Sequence, residues 1–320
     1  MTIPARKLSA LALLGAVLVG CDGGAAEAPA AAPPAAASGS ASASASASAS
    51  AKSTPAPTAK PPRPTGPASP APGRQAAPAP KAPPTLAPGP GGLTPVYSRR
   101  ATPAPASGAP EKVVALTFDA DMTADQGPRA AKGEHFDNPQ LIATLRRLKV
   151  DATVFMTGRW AEEYPDQARS IGNDPRFEIA NHSYSHYAFA TPCYGLPTVA
   201  APDMAADVQR AFDAFRDAGA THVVPYFRFP GGCYDDDALR ALGPLGVTAV
   251  QWDVVSGDAF AKDPDAVADQ VLDGVKPGSL VVMHCTRSAA PVTERAIRRI
   301  VPELRAKGYR FVKVSELMSR

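Results

Sequence analysis

The chain has 320 residues, 33 Lys plus Arg against 30 Asp plus Glu, and a formal net charge of +3. That balance is too small to argue for a nucleic-acid partner, and no base-reading motif is present. Proline and alanine crowd the first third, whereas the stretch from about residue 111 to the end is long enough for one domain with a full core.

In chain order, Arg6 and Lys7 form a basic start and Leu8 to Val19 an apolar run, too short for a stable membrane-spanning helix. Leu18-Val19-Gly20-Cys21 closes it and resembles the lipobox of bacterial lipoproteins, where the cysteine carries the lipid. Residues 1–21 are therefore expected to be a lipoprotein signal with attachment at Cys21; an ordinary secretory signal is the alternative. Either places the protein outside the cytoplasm, and the first also on a membrane. Residues 22–110 are Ala, Pro, Ser and Gly with few large apolar side chains, so they cannot bury enough surface to offset the entropy of ordering. They are expected to be a disordered tether, stiffened toward polyproline II at roughly 3.1 Å per residue.

From residue 111 on, β-rich runs alternate with helical patterns. The strand candidates are 112–118, 152–157, 177–180, 226–229, 248–252, 279–283 and 310–313. Asn138 is placed to cap a helix with Pro139 at its first position and Leu141, Ile142, Leu145 and Leu148 as its apolar stripe. A second helix shows Met204, Val208, Phe212 and Phe215 on one face and stops at Gly219. This alternation predicts an α/β fold, a parallel sheet with crossover helices, open or closed into a barrel. Three cysteines remain after the signal; Cys193 and Cys233, both in Gly/Pro-containing loops beside motifs, are the candidate pair, with Cys285 left over.

The polar residues fall where such a sheet would gather them. Asp119, His182, Arg228, Asp253 and His284 stand at or just past the C-terminal ends of predicted strands, the edge where side chains from several parallel strands converge. Three of the five histidines, His182, His186 and His284, lie in these stretches. Two of them are four residues apart, a spacing that can aim two imidazoles at one ion. Taken alone the pair could be ordinary core histidines; an Arg-x-Pro-x-Gly turn and a strand-terminal His following in order argue otherwise.

Thr117-Phe118-Asp119-Ala120-Asp121, His182-Ser183-Tyr184-Ser185-His186, Arg228-Phe229-Pro230-Gly231-Gly232, Trp252 to Asp258 and Leu280 to His284 together resemble the motifs of the polysaccharide deacetylase family, in the family's order. The resemblance spans essentially all of 111–320. It implies a distorted (β/α) barrel of about seven parallel strands and a hydrolase that removes N-acetyl groups from cell-wall or related polysaccharide, peptidoglycan or a chitin-like glycan. The implied cofactor is a divalent metal, zinc first, with cobalt or another divalent ion as alternatives. Carried over motif by motif, Asp119 is the base, Arg228 holds it, His182 and His186 bind metal, and the loop at Gly231 and Gly232 faces the oxyanion. His284 is the proton donor, with Asp258 orienting it and Asp253 in reserve.

Two positions depart from the pattern. The family has a second, metal-binding Asp where Ala120 stands, and usually a Trp where Ala259 stands. If the strand continues past Phe118, Asp119 and Asp121 share one face and Ala120 points away, so Asp121 is the expected third ligand and Asp137 a second candidate. An O-acetyl polysaccharide esterase would use the same residues, and a glycan-binding pseudoenzyme is the alternative if Ala120 abolishes metal binding. Tyr184 and Tyr187 are read either as sugar-stacking or as packing residues. The expected partners are an N-acetylated glycan and, through the lipid, a membrane; the protein is expected to be a monomer.

Overall fold

The computed structural model describes residues 82–101 and 111–320. The expected signal and most of the expected tether therefore lie outside the described residues. The strands are β1 (Val96–Tyr97), β2 (Val113–Ala120), β3 (Ala152–Met156), β4 (Phe177–Asn181), β5 (Val223–Phe227), β6 (Thr248–Val250), β7 (Val254–Val255), β8 (Ser279–His284) and β9 (Arg310–Phe311). They form one sheet in the order β1-β6-β5-β4-β3-β2-β8-β7, with β9 also on β2. Every ladder is parallel. All seven predicted strands are present, and β1 and β7 are added to them.

A parallel sheet covered on both faces selects strands that are apolar throughout, and β2 is buried at all eight positions. Its two faces part with period 2. Val114, Leu116, Phe118 and Ala120 join the core beneath the helices with Leu141, Trp160, Phe215 and Ile297. Val113 and Ala115 face the concave side with Phe155, Ala180, Tyr226, Val250 and Leu280. Thr117 and Asp119 continue that inner face to the carboxyl end of the strand. Burying a side chain such as Phe118 contributes about 1.5–3 kcal/mol. The helices form as their caps dictate: Asn138 Oδ1 accepts from Leu141 N at the start of 139–147, and Met204–Asp217 ends before Gly219 at φ 79°.

Residues 82–101 correct the expected extent of the tether. Tyr97 and Val96 pair with Val250 and Ala249, Tyr226 Oη donates to Pro84 O (2.8 Å), and Thr94 N donates to Leu239 O (3.0 Å). Beyond β1, Arg100 N donates to Gly278 O and Arg99 to Pro277 O (both 3.1 Å), so this segment lies against the start of β8 as well as along β6. Proline and glycine hid it in the sequence. The edge of β6 supplies backbone partners, and Leu93 and Tyr97 need only pack against cores that already exist. At the opposite end of the chain, Val312, Val314 and Leu317 fill the concave face. There the buried Glu178 accepts from Ser315 N (3.0 Å) and Thr153 Oγ1 (2.8 Å). Among the described residues no helix is long and apolar enough to cross a membrane.

Candidate active site

The carboxyl ends of β2, β4, β5 and β8 deliver Asp119, Asn181, Phe227 and His284 to one rim. Past the end of β2 the chain turns, fixed by Thr286 Oγ1 accepting from Asp121 N (2.8 Å) and Thr157 Oγ1 accepting from Met122 N (3.2 Å). Ala120 points into the helix-side core while the Asp121 carboxylate reaches the rim. Its oxygens lie 3.4 Å from His182 Nε2, 3.6 Å from His186 Nε2 and 4.0 Å from His284 Nε2.

The two neighbouring histidines come from a loop rather than a helix. Asn181 Oδ1 accepts from Ser183 N (2.8 Å), and Ser183 Oγ accepts from His186 N (2.9 Å). Ser183 and His186 both take left-handed backbone (φ 68° and 56°), which folds the segment back so that the imidazole centroids stand 5.0 Å apart. Asp207, from the helix 204–217, secures the fold. Its Oδ2 accepts from Tyr184 N (2.9 Å), Ser185 N and Ser185 Oγ (both 3.3 Å). No sequence motif marks Asp207. Tyr184 is packed: its hydroxyl donates to Glu162 and the Arg210 guanidinium lies 3.4 Å from its ring centroid. Tyr187 packs on the Phe189, Phe227 and Phe229 cluster.

One donor atom each from Asp121, His182 and His186 lies within 4.8 Å of the other two, a set that suits a divalent ion. The electrostatics fit as well. Asp121 Oδ1 is buried without a hydrogen-bond partner, a costly state unless a cation shares the space. Burial pulls His186 down to about 4 against the opposing pull of Asp121, leaving a neutral imidazole with a free lone pair near pH 7. His182 Nδ1 is 2.8 Å from Arg228 O, which fixes the proton there and turns Nε2 toward Asp121. Burial opposes ionisation of Asp121, yet the facing His186, His182 and His284 hold its carboxyl well below the usual range. Asp137, the second candidate, is not in this set. It is engaged by His135 (3.0 Å) and Gln167 (2.6 Å).

Two further pairs flank the three ligand-type residues. Arg228, fully buried, donates from Nη1 to Asp119 Oδ1 (2.5 Å) and from Nε to Val250 O (3.1 Å), and its guanidinium lies 3.8 Å from the Phe155 ring centroid. On the other side His284 Nδ1 is 2.7 Å from Asp258 Oδ1, and Asp258 Oδ2 accepts from His284 N (2.8 Å) and Thr293 Oγ1 (2.6 Å). Burial alone would lower the His284 pKa; the hydrogen bond and charge of Asp258 outweigh it and push it up to about 10. Asp253, held in reserve for this place, sits at the other end of the sheet, accepting from Leu280 N (2.6 Å) and Ser279 Oγ (2.8 Å).

In the turn at Pro230–Gly232 the two glycines differ as candidate donors to an oxyanion. Gly232 N donates to Phe229 O (2.8 Å) within the turn, which leaves only the Gly231 N–H for that role. Both glycines have positive φ, and a side chain on Gly231 would meet Cys193 Sγ at 2.6 Å. Cys193 and Cys233 form a disulfide across this turn (Cα–Cα 5.9 Å), the pair expected from the loops; Cys285 is a buried free thiol. A cleft of about 380 Å³ opens over the site, lined by Asp121, His186, His284, Thr286, Tyr194 and Phe260 among others.

A parallel α/β sheet that gathers an Asp-His-His set, a buried Arg–Asp pair and a His–Asp pair at the carboxyl rim has the organisation of a carbohydrate esterase or deacetylase. Residues 106–250 match the polysaccharide deacetylase family, and the chain carries a polysaccharide deacetylase domain. That match spans the first three motifs and ends before Asp258 and His284. The chain is similar to a chitooligosaccharide deacetylase of Sinorhizobium fredii, 29% identical over 220 residues, 66% of this chain and 93% of the relative. It is also similar to a peptidoglycan-N-acetylglucosamine deacetylase of Bacillus cereus, 28% identical over 211 residues, 65% of this chain and 89% of the relative. Among solved structures, a mutant CE4 family pseudoenzyme from Bacillus anthracis with restored enzymatic activity matches at a TM-score of 0.55 and 25% identity, covering 72% of each chain.

Proposed function

We propose that the domain at 111–320 is a metal-dependent hydrolase that removes N-acetyl groups from an N-acetylated glycan, wall glycan first. The observation that carries this reading is the convergence at one rim of three ligand-type side chains with a held carboxylate and a held imidazole beside them, Asp121, His186 and His284 of this group lining the cleft. Asp121, His182 and His186 would hold the metal, zinc first. When bound it supplies Lewis acidity, polarising the acetyl carbonyl and making a water more acidic.

The chain's own residues do the rest. Arg228 occupies Asp119 Oδ1 and keeps the carboxylate oriented, so that Oδ2 accepts the proton of the attacking water. The Gly231 N–H would donate to the oxyanion. His284, kept protonated on Asp258, gives its Nε2 proton to the departing sugar amine. Residues 1–21 as a lipoprotein signal with Cys21 lipidated, and the Pro/Ala-rich stretch up to residue 81 as a tether, would put this rim outside the cytoplasm within reach of wall glycan. An O-acetyl ester would be cleaved by the same groups with an alcohol leaving.

The test is acetate release from N-acetylglucosamine oligomers and from peptidoglycan, with added Zn²⁺, Co²⁺ or chelator. Metal-dependent acetate, lost in Asp119→Asn and His284→Ala, supports the reading. A second arm titrates metal: Asp121→Ala should weaken binding at least a hundredfold while Asp137→Ala leaves it intact. A folded protein that binds no metal and releases no acetate from N- or O-acetylated glycans would leave a glycan-binding pseudoenzyme instead.

A further inference from the structure

The cleft, at about 380 Å³, is near the lower end of the roughly 300–1,000 Å³ common for small-molecule sites. A polymer can place only a short stretch in it, and the rest must cross the rim. Two side chains there are unusual. Tyr194 is 89% exposed and Phe260 82%, the most exposed large hydrophobic side chains among the described residues. The other exposed ones, Leu86, Val96, Tyr234 and Val255, do not line the cleft. A scattered exposed apolar residue needs no explanation, but two aromatic rings on one cleft that also holds Asp121, His186 and His284 do.

Their backbones point the same way. Tyr194 (φ 47°) and Phe260 (φ 63°) are left-handed, a conformation in which a bulky residue is an outlier. Only five non-glycine described residues have positive φ. Four of them, Ser183, His186, Tyr194 and Phe260, belong to the histidine loop or the cleft, so the strain concentrates at the site.

Each ring is also anchored to the machinery beside it. Tyr194 follows disulfide-bonded Cys193, and its ring crosses Gly231, where an added Cβ would stand 3.2 Å from Tyr194 Cδ2. Phe260 stands two residues past Asp258, with its N–H donated to Ala289 O (2.7 Å) and Ala261 N donated back to Asp258 O (3.1 Å). The sheet order sets their sides. Tyr194 comes from the connection after β4 and Phe260 from that after β7, and β2, which leads into Asp121, lies between those strands.

We propose that Tyr194 and Phe260 are specificity-determining platforms on which sugar rings flanking the deacetylated residue stack, one on either side of Asp121. The glycan is thus read over at least three consecutive sugars. The inference rests on the deacetylase reading above. The C–H face of a pyranose is apolar and matches an aromatic face, while its equatorial hydroxyls and amides stay at the polar lining of Thr123, Gln126, Arg129 and Glu134. An already exposed ring, held by a disulfide or by short hydrogen bonds, loses little conformational freedom when a sugar covers it.

The test compares the full chain with Tyr194→Ala, Phe260→Ala, the double variant, and the conservative Tyr194→Phe and Phe260→Trp. Acetate release is followed on N-acetylglucosamine oligomers of two to six sugars and on the sugar-free ester 4-nitrophenyl acetate, and oligomer affinity by calorimetry. Each alanine variant should lose roughly five- to tenfold in affinity and kcat/KM on the longest oligomers, chiefly through KM. The loss should grow with oligomer length, be much smaller on the ester, and be restored by the aromatic replacements. Alanine variants that match the parent on long oligomers, or that lose ester and oligomer turnover equally, overturn the platforms while leaving the deacetylase reading in place. A parent protein that releases no acetate from any oligomer overturns both.

Discussion

Replacing Asp258 by Asn tests the acid half of the site most directly, because the change is nearly isosteric and removes one charge. Asp258 is 1% exposed and meets His284 twice, through Nδ1 (2.7 Å) and through the backbone N–H (2.8 Å). The distance from the ordinary imidazole value of 6.5 to about 10 corresponds to roughly 5 kcal/mol of preference for the charged ring, at about 1.36 kcal/mol per pH unit. The pair contributes most between two limits. The raised His284 value adds stability that is complete below about 6.5 and lost as pH rises through about 10. The lowered Asp258 value adds stability present above the ordinary carboxylate range and lost as pH falls through its depressed value.

In Asp258→Asn only burial remains to act on His284, together with the more distant Asp121 and Asp119, so its pKa should fall by several units toward or below 6.5. The assay is NMR titration of the His284 ring in metal-free protein, beside thermal unfolding from pH 5 to 11. Parent and variant should differ by a few kcal/mol near pH 7, and the difference should shrink above pH 10. Acetate release should fall about 10²–10⁴-fold, the usual loss when a general acid is disabled. A His284 that titrates near 6.5 in the parent, or that keeps a high pKa in the variant, would refute the reasoning.

Arg228→Met takes the guanidinium partner from the Asp119 carboxylate, which is 4% exposed, and should cost about 3–5 kcal/mol. Calorimetry should show a Tm lowered by roughly 6–20 °C for a domain of this size. Asp207→Ala frees three donors of the histidine loop without touching the ligand-type side chains. A zinc titration should find affinity reduced about 10–100-fold, as for other groups that orient ligands; unchanged affinity would make Asp207 a structural cap only. Cys193→Ser with Cys233→Ser opens a bridge spanning 40 residues and should lower stability by about 4 kcal/mol in denaturant unfolding. Dithiothreitol should bring the parent chain to the same value.

What could be read from the sequence follows from where the physics is local. A parallel strand buried on both faces is a near-continuous apolar run, so Val113–Ala120 or Ser279–His284 announces itself without its neighbours. A two-residue strand cannot. Val96–Tyr97 exists because β6 offers an edge, and Val254–Val255 because β8 does. Period 2 was enough to separate Ala120 from Asp121, since alternate residues of a strand face opposite ways; it carried no information about Asp137, whose carboxylate the structure gives to His135 and Gln167. Asp207 and Tyr194 were invisible for the opposite reason. Each acts through a partner from another element, the histidine loop or the turn at Gly231, and neither carries a spacing of its own.

The two motif departures then share one physical explanation. Where Ala120 stands, the strand ends, and Asp121 presents its carboxylate from the turn that Thr286 and Thr157 hold. Where Ala259 stands, the next residue, Phe260, takes left-handed backbone and lines the cleft. In both places a small side chain occupies the position and a turn brings the following residue to the rim. A motif compared position by position scores two losses there, whereas the geometry keeps a carboxylate beside the imidazoles and an aromatic ring beside the acid. That is why Asp121→Ala, more than any change at 120, should separate an enzyme from a protein that only binds glycan, while Phe260→Ala, more than any change at 259, should weaken the hold on long glycans in either case.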